Sequence, residues 1–172
     1  MSQSTRCIDV ITHFRFLELL IYLYEQSNNS SKSSTMKSIW LNLPVRDIKK
    51  SKEFFKAIGF RQNPMHENAE HLGSFFIGEH NLVLMLFPEE AFKTFTANAI
   101  SDTAKGTEIL LNIDAQSKEE VDAMAETVRR AGGTIYAEPG ESQGWMYAFG
   151  FIDLDGHRWS MLYMDMDKMP KG

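Results

Sequence analysis

The sequence predicts an α+β fold of two βαβββ modules whose sheets curl into a shared, open, barrel-like cavity. Three observations predict it. Asn42-Leu43-Pro44-Val45-Arg46-Asp47-Ile48 and Asn112-Ile113-Asp114-Ala115-Gln116-Ser117-Lys118 each leave a strand and enter a helix at a capping residue, which marks an internal repeat. After each repeat the apolar spacing is helical, then changes to the alternation of strands. Each helical stretch stops at glycine, Gly59 in one half and Gly132-Gly133 in the other.

Taken in order, Ser38 to Leu43 reads as the first strand, and Asp47 caps a helix that buries Ile48, Phe54, Phe55 and Ile58. Three strands follow, at Phe60 to Asn63, Leu72 to Ile77 and Leu82 to Phe87. Their turns are Met65 to Glu70 and Gly78-Glu79-His80-Asn81. Glu89 to Phe95 predicts a short helix within the linker. The second half opens with a strand from Glu108 to Ile113. Ser117 and Glu120 then form a capping box for a helix that buries Val121, Met124, Ala125 and Val128. Thr134 to Ala137, Trp145 to Ile152 and Arg158 to Tyr163 read as strands, the last two joined at Asp155-Gly156. Module one thus spans about 36–88, the linker 89–105 and module two about 106–165. One helix covers one face of each sheet, and curling the two sheets together makes the other faces a small-molecule cavity.

Composition excludes several classes of function. A net charge of −5 with dispersed Lys and Arg argues against a nucleic-acid partner. The apolar stretch Phe14 to Tyr24, broken by Arg15 and Glu18, is too short to span a bilayer and lacks the flanks of a secretory signal. The lone Cys7 rules out an internal disulfide and any cysteine zinc cluster, and fits a reducing cytoplasm. Gln26 to Thr35 is a Ser/Asn-rich linker. Residues 1–35 are therefore expected to lie outside the core domain of 36–172, with Met36 as the natural start. The alternative is an amphipathic anchor helix from about Ile8 to Tyr24.

Leu41-Asn42-Leu43-Pro44-Val45-Arg46-Asp47, with the Ser-Lys-Glu-Phe-Phe helix ending at Ile58-Gly59-Phe60, resembles the opening of a vicinal oxygen chelate module. Phe151-Ile152-Asp153-Leu154-Asp155-Gly156-His157-Arg158-Trp159 is similar to its closing hairpin. The resemblance covers Met36 to Asp165. It is to the glyoxalase, bleomycin-resistance and extradiol-dioxygenase superfamily, and most to bacterial lactoylglutathione lyase-like proteins. It implies a divalent metal held by His or Gln, Glu, His and Glu on the first, fourth, fifth and eighth strands, where the ion polarises two adjacent substrate oxygens. It also implies a homodimer.

Carried onto this chain, the four ligand places fall on Trp40, Met85, Glu108 and Ser160. Only Glu108 is a good ligand, so no metal is expected at this site. Glu108 is the candidate catalytic residue, either an inward-pointing carboxylate that contacts substrate or transfers a proton, or one at the strand's start that lies near solvent or pairs with Arg158. Strand alternation places Trp40, Asn42, Met85, Phe87, Asn112, Met146, Arg158 and Ser160 toward the cavity as candidate ligand-binding residues. Arg158 is either an anion contact or a rim residue, and the apolar members either line a site or fill a core. Gly140 to Gly144 reads as a lid or as an ordinary hairpin connection. The histidines are expected at the surface or in structural roles. The leading functional expectation is a metal-independent binder of a small apolar or aromatic molecule. The alternatives are a lyase, isomerase or dioxygenase using an atypical metal site or Glu108 alone, and an interaction protein without a working cavity.

Overall fold

The computed structural model describes residues 38–79 and 82–170. The expectations for residues 1–35, for Met36 and for His80-Asn81 lie outside the described residues. The chain divides at Ile39–Trp40, and the unit that begins at Trp40 carries both modules.

Each half is a βαβββ module. The first runs β1 (Trp40–Val45), α1 (Ile48–Ala57), β2 (Arg61–Gln62), β3 (Gly73–Ile77) and β4 (Leu82–Pro88). A linking helix, α2 (Glu89–Thr96), leads to β5 (Leu110–Asp114), α3 (Lys118–Arg130), β6 (Thr134–Ser142), β7 (Met146–Ile152) and β8 (Arg158–Met164). The two mixed sheets have equivalent orders, β1-β4-β3-β2 and β5-β8-β7-β6. In each, the first strand runs parallel to the last, and the remaining pairs are antiparallel.

The helices begin where capping chemistry requires. The Asp47 carboxylate accepts from the Lys50 N–H at 3.1 Å, and the Ser117 hydroxyl accepts from the Glu120 N–H at 3.2 Å. The Glu120 carboxylate reaches back one residue further than a simple capping box, to the Gln116 N–H at 2.7 Å. Their apolar faces join one core. Leu43, Val45, Phe54, Phe55, Leu84 and Leu86 from the first module are continuous with Leu111, Val121, Val128, Phe149, Phe151 and Trp159 from the second. Each such side chain contributes about 1.5–3 kcal/mol of transfer free energy. Gathering them on one side leaves the opposite sheet faces open, with Asn42, Leu110 and Asn112 exposed.

Three boundary differences bear on the site. β1 begins at Trp40 rather than Ser38, with Ile39 62 % exposed and outside the strand. β5 begins at Leu110 rather than Glu108, because only from Leu110 does the segment pair with β8. β6 runs on to Ser142, so Gly140 to Ser142 pair with Ala148 to Met146, and of the two readings of Gly140 to Gly144 the hairpin connection is the one observed, turned at Gln143-Gly144. Two register shifts and Pro139 masked that strand's alternation, and an edge position is where both are tolerated. No helix among the described residues is long and apolar enough to cross a membrane.

Candidate functional site

The two segments with the strongest sequence character meet in space. The corner from Pro44 to Ser51 grips the turn from Asp153 to His157. The buried Asp155 carboxylate accepts from the Arg46 N–H at 2.8 Å, the Arg46 Nε at 3.3 Å and the Ser51 hydroxyl at 2.6 Å. Arg46 also donates to the Leu154 carbonyl. His157 Nε2 lies 2.8 Å from the Pro44 carbonyl, so that nitrogen carries the proton. Within the turn, Asp153 accepts from the Asp155 and His157 N–H groups and from the Trp159 indole, each at 3.0 Å. Burial pushes the Asp153 carboxyl above the ordinary carboxylate range, and the charge of His157 and these donors hold it back.

This junction floors a cavity of about 330 Å³. Asn42, Leu43 and Pro44 of β1 form one side, and Gly156, His157 and Arg158 another. Phe92 and Thr96, one turn apart on α2, and the linker from Asn98 to Ile109 complete the wall. Thr103 fastens that linker by donating to the Asp155 carbonyl at 3.3 Å. Gly156 is required beneath it: its φ is +97°, and a Cβ there would come within 2.1 Å of the Thr103 hydroxyl.

Of the residues singled out in the sequence, Asn42, Glu108 and Arg158 line this cavity together. Trp40, Met85, Phe87, Asn112, Met146 and Ser160 do not. Asn42 pairs in register with Met85, and Asn112 with Ser160, which confirms their equivalence in the repeat. Met85 is 3 % exposed, however, and Phe87 is covered by Phe95 of α2 at 5.1 Å. Both belong to packing. Met146 pairs with Met164 at the far end of the strand that sets Ile152 beside Arg158.

Of the two readings of Glu108, the inward-pointing carboxylate on an apolar strand is corrected: Glu108 is exposed, near solvent, two residues before β5. Nor does it pair with Arg158: the two line one cavity without forming an ion pair. Ile109, within the segment expected to be strand, is 48 % exposed and also lines the cavity. His66, expected at the surface, is buried. Burial first, and His71 second, lower its pKa.

Sequence reasoning missed Tyr136. It reaches from β6 across Gly150 of β7, and its hydroxyl donates to the Trp159 carbonyl at 3.2 Å. Its ring lies 4.8 Å from the Arg158 guanidinium carbon. The register shifts beyond Ile135 hide from the sequence which neighbours Tyr136 meets.

The donor set does not fit a catalytic divalent ion. Trp40 offers no ligand atom, Met85 a buried thioether, Ser160 a hydroxyl and Glu108 one exposed carboxylate. Among the described residues, no three His, Cys, Asp or Glu side chains gather to hold a metal.

Comparison with known proteins agrees with the fold. Residues 37–70 match a family model described as bleomycin resistance protein-like N-terminal. A hypothetical protein of S. aureus, SA1046, is 32 % identical over 76 % of this chain and 95 % of its own, with a TM-score of 0.67. A glyoxalase/bleomycin resistance protein/dioxygenase family enzyme of Burkholderia phytofirmans is 20 % identical over 73 % of this chain and 96 % of its own, with a TM-score of 0.61. A genomically encoded fosfomycin resistance protein of Listeria monocytogenes is 18 % identical over 79 % and 98 %, with a TM-score of 0.54. At such identities the last two likenesses carry the fold alone. None of the curated proteins matches the chain.

Proposed function

The chain belongs in one family with the S. aureus protein SA1046, built on the glyoxalase/bleomycin resistance/dioxygenase fold, and from that premise we propose that it binds a small molecule without the help of a metal. The observation that carries this reading is the cavity of about 330 Å³, which gathers Asn42, Glu108 and Arg158 from three separate segments. Its size is that of a small-ligand pocket, and its wall mixes apolar side chains with a few polar groups. The metal site of the fold is degraded here: Trp40, Met85 and Ser160 occupy places that need imidazole or carboxylate. The ligand is a small molecule with an apolar or aromatic body, seated against Pro44, Phe92 and Ile109. The cytoplasm is its setting.

The test is metal retention by the full chain. After incubation with nickel, zinc, manganese or ferrous iron and removal of excess, mass spectrometry is expected to find far less than one metal per chain, with no change in Glu108→Ala. Near-stoichiometric metal that falls in Glu108→Ala would overturn the reading in favour of a lyase, isomerase or dioxygenase with an atypical site. That second reading rests on Glu108, a carboxylate at the cavity wall.

The binder works as an isologous homodimer. The open face of the second sheet displays Leu110 and Met164, 47 % and 41 % exposed, and a second copy would roof the cavity by covering them. Sedimentation velocity is expected to give the mass of two chains, and Leu110→Glu to shift it to one. A wild-type monomer at micromolar concentration would exclude the dimer.

A further inference from the structure

We propose that Arg158 is an anion anchor and that the ligand is an amphipathic monoanion, an apolar body carrying one carboxylate-like group. This rests on the cavity being a ligand site, as proposed above, and adds the chemical class of the ligand.

The structure holds Arg158 in place without neutralising it. Its guanidinium carbon lies 4.8 Å from the Tyr136 ring centroid. Tyr136 is itself fixed twice. Its hydroxyl is tied to the Trp159 carbonyl at 3.2 Å, and its ring occupies the space above Gly150, where a Cβ would come within 2.4 Å of ring carbon. Stacking leaves the N–H edge of a guanidinium open, and that edge matches a carboxylate with two parallel hydrogen bonds. Arg46 and Arg129 meet Asp155, Glu126 and Glu138, yet no carboxylate among the described residues pairs with Arg158. It is half-buried and is the cavity's one Lys or Arg side chain among the described residues. A charge held partly out of water with no partner favours an incoming anion.

The rest of the wall narrows the class. Pro44, Phe92, Ile100 and Ile109 offer apolar contact to a body rather than to a free ion. Glu108 lines the same cavity as a negative charge unpaired among the described residues, which disfavours a dianion such as phosphate and tolerates a monoanion. Tyr136 is a positioning residue that acts through Arg158.

The experiment uses two fluorescent probes of one skeleton, 8-anilinonaphthalene-1-sulfonate and the neutral N-phenyl-1-naphthylamine, titrated into the full chain. The wild type is expected to bind the anionic probe about tenfold more tightly, the size of one charge-assisted hydrogen bond. Arg158→Gln and Arg158→Met, the latter keeping the aliphatic stem, are expected to erase that preference with unchanged circular dichroism and little change for the neutral probe. Tyr136→Leu should weaken the anionic probe several-fold and spare the neutral one, a split that a merely structural role would not produce. 1-Naphthoate is expected to displace the anionic probe where equimolar inorganic phosphate does not. Displacement by phosphate just as readily would overturn the monoanion class. Equal binding of both probes, insensitive to Arg158, would overturn the anchor and leave the cavity reading intact. Failure of both probes to bind the wild type would overturn both readings.

Discussion

Trp159→Ala is expected to lower the unfolding free energy by about 3–5 kcal/mol, the cost of truncating a large buried aromatic. Trp159 is 1 % exposed on β8, but its neighbours come from both modules. Phe55 and Phe60 of the first approach it edge-on, each at 5.6 Å between centroids, and Phe151 of the second stacks at 6.1 Å. Removing the indole therefore opens a void where the modules join. It also removes the donor that Asp153 meets at 3.0 Å, leaving a buried carboxylate oxygen short of a partner. Trp159→Phe separates the two contributions, since it refills most of the volume but restores no N–H, and should cost about 1–3 kcal/mol. Urea denaturation followed by circular dichroism measures both. A domain of this size has about 5–15 kcal/mol in all, so the alanine variant should unfold at markedly lower urea. A loss below about 1 kcal/mol would mean the modules do not depend on a common core.

How much of this was legible depended on whether sequence-local rules set the outcome. Asp47 and Ser117 cap their helices because N-cap chemistry needs only neighbours three residues away. Phe54, Phe55, Val121 and Val128 are buried because helical period alone selects them. The repeat of Asn42 and Asn112 held to the residue, since both modules place the same strand beside their last one. The site was legible only in part because it is made by the linker. Glu108 and Ile109 continue the alternation of β5 in sequence, yet β8 begins at Arg158, opposite Leu110, so nothing pairs with them and they turn to the cavity wall. Phe87 alternates toward the open face, as expected. Whether that face is empty there depended on where α2 folds back, and Phe95 covers it. Tyr136 was concealed by register shifts in β6 that no short-range pattern encodes.

The two segments that carry the family resemblance are joined to each other by Asp155, and its removal tests what the resemblance preserves. Asp155→Ala is expected to cost about 1–3 kcal/mol, because it removes the one carboxylate that accepts from the Arg46 N–H, the Arg46 Nε and the Ser51 hydroxyl, leaving Ser51 only the Asp47 carbonyl. The side chain of Arg46 is 64 % exposed and returns to water, so its charge adds little. Asp155→Asn should behave differently. Its amide oxygen can still accept from Arg46, while its NH2 faces Ser51. A hydroxyl both donates and accepts, and Ser51 already lies 3.0 Å from the Asp47 carbonyl. It can turn its hydrogen to that carbonyl and accept from the new amide, so the asparagine variant should lose less than about 1 kcal/mol. The turn also carries Thr103 and with it the cavity wall, so Asp155→Ala should weaken binding of the anionic probe even where the chain remains folded. Equal destabilisation by alanine and asparagine would show that charge, rather than hydrogen-bond geometry, holds the junction. Stability near wild type in both would place the coupling of the modules in the aromatic core around Trp159 instead.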